Sequence, residues 1–310
     1  MNSKKANWLF LSTVLITLTV IVLINVFYLL TAGKLEIGII LNLVISQLTI
    51  VIPALFFALF SKSGLNEMLG YHKIKISSAL MAVLFSYLLM PLVTAVNAIS
   101  MLFVDNTVNA MSGDILQISF PVMLFLIGIF GPFCEEFVCR GMIFGGYKKS
   151  GSVFKAIVLS SLVFGLLHLN FNQATYAIVL GVCFSLLVEA TGSLWASTIA
   201  HMVINTTEVC MMFLVERLLP GIYTTGQTED MLTTQTLLAA IGPYLLVATI
   251  TTALAGCVLV WIAKNENREE HLKDIWTKRK EKKERLITVP LIIAMVLSIA
   301  FMIFDVILMV

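Results

Sequence analysis

The chain is a succession of apolar runs, several reaching about 20 residues, divided by short polar breaks. At about 1.5 Å of rise per residue, a helix of that length spans the hydrocarbon core of a bilayer. Composition agrees, since 59% of the 310 residues are hydrophobic and only 12% are charged, against roughly 25% charged in soluble domains. A soluble globular fold is excluded. The lipid bilayer is the expected surrounding, and no nucleic acid is expected as a partner. The expected fold is all-α, a polytopic transmembrane helical bundle forming one integral-membrane domain over residues 1–310.

Reading the runs between polar breaks gives about nine spans: 8–31, 37–60, 78–104, 117–146, 153–169, 174–189, 194–215, 236–263 and 287–310. Cytoplasmic loops of membrane proteins collect Lys and Arg, so charge placement tests the count. With a cytoplasmic Met1, the inner segments hold Lys4 and Lys5, then Lys62, Lys73 and Lys75, then Lys148, Lys149 and Lys155, then nine basic residues from Lys264 to Arg285. Outer loops hold Lys34 and Arg217, and Arg140 lies within a span. The expected location is the cell membrane, multi-pass, with a cytoplasmic N-terminus and an external Val310. The stretch 264–286, with nine basic and six acidic residues, reads as a basic cytoplasmic helix held at the inner leaflet by anionic lipid. The outer loop 216–235 reads as plain turns. The first run is too long for a signal peptide and lacks a small-residue cleavage site, so it reads as a retained span. Cys134, Cys139, Cys183, Cys210 and Cys257 fall in apolar segments without metal-finger spacing and read as small buried residues.

Ionisable groups are costly inside a bilayer, so their placement marks function. Here they gather on three spans. The fourth carries Glu135, Glu136 and Arg140, the fifth ends at His168, and the seventh carries His201 and Asn205. Glu136 and Arg140 are four apart and share a helical face, which predicts an ion pair that neutralises both. Glu135 lies about 100° around the helix and is left for another task. A desolvated carboxyl beside a paired one suits a general base. Gly131 and Pro132 predict a kink or break just before the pair, because Pro lacks an N–H. His201 and Asn205 are also four apart, a pairing that resembles a donor set for a developing oxyanion, or else interhelical hydrogen bonding. Their co-occurrence with Glu135 and His168 favours a single site. Glu208, seven residues beyond His201, reads as reaching the outer interface. Glu189 sits at an inner turn, Trp195 reads as an interfacial anchor, and Asp305 as a packing contact.

In this order the segments resemble the CPBP family of intramembrane proteases, which includes type II CAAX prenyl endopeptidases and bacteriocin-processing or immunity proteins. The family pattern is Glu-Glu-x-x-x-Arg, Phe-x-x-x-His and His-x-x-x-Asn, met here by Glu135-Glu136-Arg140, Phe164-His168 and His201-Asn205. The turn Thr191-Gly-Ser-Leu-Trp195 is also similar to the family's. The resemblance covers roughly 115–215, placing a catalytic core on spans 4, 5 and 7. It implies a hydrolase cleaving a membrane-associated peptide or protein, in which Glu135 and His168 activate a water while His201 and Asn205 hold the carbonyl oxygen as it becomes anionic. Glu136 and Arg140 would support them. Glu135, His168 and His201 also form a catalytic zinc set with an open fourth position. No His-Glu-x-x-His helix accompanies them, and Asn205 makes better sense as an oxyanion donor, so no bound cofactor is favoured and zinc is the alternative.

Two other functions compete with peptide cleavage. A non-catalytic bacteriocin-immunity or scaffold protein would bind a peptide partner in the same cavity, but a pure binder need not keep all four of Glu135, His168, His201 and Asn205. A secondary transporter predicts broken helices in two related halves, and the Gly-Pro pairs at 131–132 and 242–243 come without such symmetry. The Lys-rich, short-loop style suggests a bacterium, where peptide maturation or self-immunity is favoured over prenylated substrates. Depth poses a difficulty: on straight spanning helices Glu135 and His201 fall in the inner half and His168 near the outer surface. Either a broken fourth helix or a fifth helix starting deep in a cytoplasmic vestibule would reconcile them.

Overall fold

The computed structural model describes residues 1–34, 37–60, 70–149, 151–224, 233–281 and 284–309. Lys62, Lys282, Lys283, Val310 and residues 225–232 of the expected outer loop lie outside the described residues. Within the described residues the protein is helical and contains no strand. The long helices are α1 (Ser3–Leu30), α2 (Ile39–Leu59), α3 (Ile76–Ser100), α4 (Phe120–Lys148), α5 (Val153–Leu167), α6 (Phe171–Thr191), α7 (Leu194–Leu218), α8 (Thr234–Asn265) and α10 (Val289–Met309), with a short α9 (Glu269–Thr277) before the last. Eight of them are long and apolar enough to cross a membrane. The protein is a multi-pass membrane protein.

The fifth expected span differs. Helix α5 has 15 residues, about 22 Å at 1.5 Å per residue, well short of a ~30 Å hydrocarbon core. Ser152 caps its start by accepting the Lys155 N–H at 3.3 Å. It ends at His168, where Leu169 adopts φ +50° and turns the chain back into α6. Asn170 caps α6 by accepting the Gln173 N–H at 3.0 Å. Gly165 permits the close approach of this hairpin's arms, since a Cβ there would lie 2.8 Å from the Ala174 carbonyl oxygen. His168 therefore rides on the tip of the α5–α6 hairpin.

Of the kink or break expected at Gly131-Pro132, the break does not occur. Helix α4 runs on through both residues, with π-helical stretches at Leu124–Phe130 and Phe137–Phe144 on either side. In the first stretch the Gly131 N–H bonds the Leu126 carbonyl five residues back. The next rung would run from residue 132 to Ile127, and proline has no N–H to make it. Widening the turn lets the proline pass without a break, and π-bulges of this kind are frequent at functional sites.

Packing gathers the bundle around two large apolar clusters and a small one of Ile115, Met123 and Val209. Of the large two, one joins α1, α2, α4, α5 and α10 through Leu9, Phe10, Ala54, Val138, Phe144, Val163 and Leu291. The other joins α3, α6, α7 and α8 through Phe85, Leu89, Phe184, Ala200, Ile204 and Ile262. Apolar burial gains little against lipid, so close van der Waals packing and interhelical hydrogen bonds hold such bundles. One of the latter joins Asn172 to Asn97 at 2.9 Å, an amide cluster on α3 and α6 that the sequence reading left out.

One end of the bundle gathers the segments expected to be cytoplasmic. Asn7 donates to the Leu286 carbonyl at 2.7 Å, Ser152 donates to the Arg279 carbonyl at 2.9 Å, and the Lys75 N–H donates to Glu266 at 2.9 Å. Helix α9 occupies part of the expected 264–286 helix, with Trp276 edge-on to Phe154 at 5.8 Å. Cys134 and Cys139 are buried as expected, whereas Cys183 is half-buried and Cys210 and Cys257 are exposed on the helix surface; all five are unbridged. Asp305 lies half-buried on α10.

Candidate active site

The two large clusters meet along α4, and the polar residues singled out in the sequence lie in that seam. Glu136 faces inward, completely buried. Its Oε1 lies 3.0 Å from Arg140 Nη1 and accepts the His201 Nδ1–H at 3.1 Å. The Arg140 guanidinium stacks 4.0 Å from the Phe164 ring centre and 5.2 Å from that of Phe184. The i,i+4 ion pair expected from spacing is thus present, with two aromatic faces enclosing the cation.

Glu135 faces a more open space, with 19% of its side chain exposed. Its Oε2 lies 4.0 Å from His168 Nε2 and 3.8 Å from His201 Nε2. These separations exceed hydrogen-bond length and suit groups that act on one small molecule between them. The His168 Nδ1–H donates to the Phe164 carbonyl at 2.8 Å, which in a neutral ring turns the Nε2 lone pair toward Glu135. The second motif therefore works through both ends of one turn: Phe164 supplies the carbonyl that orients His168 and the ring that covers Arg140. That ring also meets His168 and His201 edge-on, at 5.0 and 6.0 Å.

Asn205 makes an interhelical hydrogen bond, one of the two roles its spacing allowed. Its Nδ2 donates to the Ile127 carbonyl at 3.2 Å, the acceptor that Pro132 leaves without its helical donor. The amide thus completes the α4 backbone across the α4–α7 contact, and one of its two N–H bonds is committed there. Glu208 is exposed and lies ten residues before the end of α7 at Leu218, so helix remains between it and the outer end.

Two further groups border the site. Gln47, on α2, donates from Nε2 to Glu135 Oε1 at 3.4 Å. Tyr71 stacks nearly parallel to Phe133 at 5.7 Å, tilts against Trp195 at 4.7 Å, and shares a hydrogen bond with Thr198 at 3.3 Å. Burial pushes the Tyr71 hydroxyl up to about 12, so it stays protonated. Trp195 thus packs on a neighbouring aromatic ring, not on lipid alone. The Tyr71 segment is held by the Leu194 N–H donating to the Gly70 carbonyl at 2.9 Å and by Ser193 donating to the His72 carbonyl at 2.5 Å. Glu189 pairs with Lys148, while its carbonyl accepts from Arg268 Nε at 2.9 Å. The guanidinium lies beneath Gly192, whose φ of +71° closes α6 and where a Cβ would sit 2.9 Å from Arg268 Nη1. A signal for Gln47 existed: it is an amide inside an apolar span, three and seven residues before the buried Ile50 and Ala54 and so on their face. Tyr71 lies in a loop and had none.

Residues 117–207 match the family described as type II CAAX prenyl endopeptidase Rce1-like. The matched segment is the one that carries the site. It includes all three motifs, whereas Gln47, Tyr71, Glu208 and α9 lie outside it. Over 98 residues the chain is 32% identical to YdiL of Bacillus subtilis (strain 168), provisionally named as a membrane peptidase, covering 32% of this chain and 40% of that protein. Over 91 residues it is 35% identical to the membrane-embedded CAAX protease MroQ of Staphylococcus aureus (strain USA300), covering 27% of this chain and 37% of the relative. The similarity thus spans less than half the length of either relative. No solved structure matches the chain.

Proposed function

We propose that the protein is an intramembrane endopeptidase that hydrolyses a peptide bond in a membrane-associated peptide or protein precursor. The observation that carries this is the convergence of Glu135 Oε2, His168 Nε2 and His201 Nε2 from three helices of the matched segment, with separations of 3.8 and 4.0 Å. Glu135 takes a proton from a water that His168 Nε2 orients by accepting its other hydrogen. The water oxygen bonds to the peptide carbon, and the carbonyl oxygen becomes anionic. The second Nδ2–H of Asn205 and the His201 ring, anchored through Nδ1 by Glu136, hold that oxygen. Glu135 then returns the proton to the leaving nitrogen as the C–N bond breaks. This division of labour needs one carboxylate held in an ion pair and one exposed to the reaction, the pattern seen at Glu136 and Glu135.

The same donors could serve zinc, whose ligands at about 2.0–2.1 Å in tetrahedral geometry stand about 3.4 Å apart. The observed separations are wider, and among the described residues no three His, Cys, Asp or Glu have metal-ligand geometry. We therefore favour water activated without a bound metal. The proposed orientation has Met1 and the 264–286 segment cytoplasmic and Val310 external. Labelling of cysteines introduced in 269–277 from outside intact cells would overturn it.

The test of activity is cleavage of a peptide library by the full chain in detergent, read as product masses, for native protein and Glu135→Gln. Native cleavage is expected to exceed that of the variant by at least about 10²-fold, the lower end for a general base. Equal cleavage at equal protein level would leave the immunity or scaffold reading in its place. Chelators are expected to have little effect; reversible silencing by chelation and restoration by zinc would establish the metal alternative.

A further inference from the structure

The geometry points to Gln47 as a positioning residue that sets the Glu135 carboxylate for the reaction, a role lying wholly outside the matched segment. Gln47 stands on the packed face of α2, above Ile50 and Ala54, and α2 packs against the part of α4 that carries Glu135. A carboxylate offers acceptors alone, so the amide must present its N–H to it. The bond from Nε2 goes to Oε1, the oxygen that does not face the imidazoles. With Oε1 tethered, Oε2 is the oxygen turned to His168 and His201. Without the tether, the broad terminal torsion of Glu135 lets the carboxylate plane swing away from the two imidazoles.

The other end of the same amide supports this assignment. Gln47 Oε1 is buried and has no hydrogen-bond partner among the described residues. An unpaired buried acceptor is a cost, and an apolar residue of similar length would avoid it. What the glutamine gains in exchange is the contact with Glu135. The site is thus assembled from two parts of the chain: α4, α5 and α7 bring the reacting groups, and α2 fixes the rotamer of the base.

This inference rests on the endopeptidase reading, and its test separates the two. Native protein, Gln47→Leu, Glu135→Gln and the double variant are compared on a peptide found by the library experiment, with unfolding temperature measured alongside. Gln47→Leu is expected to lower kcat about 10-fold or more, in line with the loss of an orienting partner, and to leave KM within about twofold. In the Glu135→Gln background the same substitution should change kcat by less than about twofold, because no base is left to orient. The unfolding temperature of Gln47→Leu should match native or exceed it, since the change removes an unpaired buried oxygen. If native protein cleaves, Glu135→Gln does not, and Gln47→Leu keeps native kcat, the inference fails alone. If Gln47→Leu lowers kcat equally in both backgrounds, or only in step with lost folding, its role is structural and the inference is overturned. If native protein and Glu135→Gln behave alike, the endopeptidase reading falls and takes the positioning role with it.

Discussion

On the side of α4 that faces α7, Glu136 is completely buried against Arg140 and His201, with contacts of 3.0 and 3.1 Å, and two aromatic rings enclose the guanidinium. One residue earlier on the same helix, Glu135 is 19% exposed and its polar neighbours stand 3.4 to 4.0 Å away. A helix turns about 100° per residue, so adjacent positions can be committed to opposite environments. The closed side is a structural ion pair in which removing a member strands a charge. The open side keeps its groups apart, as chemistry on a third molecule requires. What the difference teaches is that the two glutamates of one motif are not interchangeable, and that the aromatic residues belong to the closed side as much as the charges do.

The largest expected effect breaks the closed side. Arg140→Ala leaves Glu136 buried without its cation, a loss on the order of 3–5 kcal/mol where one partner of a buried pair is removed. Membrane abundance should fall sharply. Glu135→Ala removes a partly exposed carboxyl with long contacts and should leave abundance near native. Quantitative immunoblotting of membranes checks both, and equal levels would contradict the distinction drawn between the two carboxylates.

What could be read in the sequence follows the same division. The Glu136–Arg140 pair was legible because covalent helix geometry fixes which side chains meet at i,i+4. Glu135, His168, His201 and Asn205 were legible as polar residues that a bilayer makes expensive. Contacts between helices were not: that Asn205 spends an N–H on Ile127, or that Gln47 reaches Glu135 from α2, depends on tertiary packing no local spacing encodes. How the helix passes Pro132 without a break was hidden for a related reason, because the missing rung is absorbed by a π-helical turn and a donor from another helix. The apolar run of the fifth span continues to Leu169 and so predicts a crossing, whereas its early turn rests on a positive φ at a leucine, which composition does not announce.

A smaller effect is expected at the wall between the two sides. The Phe164 ring lies over Arg140 and meets both histidines edge-on. Phe164→Leu keeps an apolar residue and the backbone carbonyl that holds His168, but loses the cation–π contact, worth about 2 kcal/mol when desolvated. Unfolding in detergent, followed by intrinsic fluorescence, should shift by about that amount. A native midpoint would mean that the charge pair holds Arg140 without help from the ring.

The smallest effect separates two roles of one residue. Asn205→Ala removes the donor to the Ile127 carbonyl, and a lost hydrogen bond of this kind costs about 0.5–1.5 kcal/mol. If the bond exists because Pro132 lacks an N–H, then Pro132→Ala supplies a backbone donor to the same carbonyl. Combined with Asn205→Ala it should recover most of the lost stability. Turnover should not recover with it: an oxyanion donor is worth about 10²–10³ in kcat, and a backbone N–H already spent on Ile127 cannot replace one. Stability restored without activity would therefore assign Asn205 both a structural and a chemical task, one for each of its N–H bonds. Activity returning together with stability would leave it the structural task alone, and the oxyanion would then rest on His201. Stability that Pro132→Ala fails to restore would sever the link between the proline and the amide.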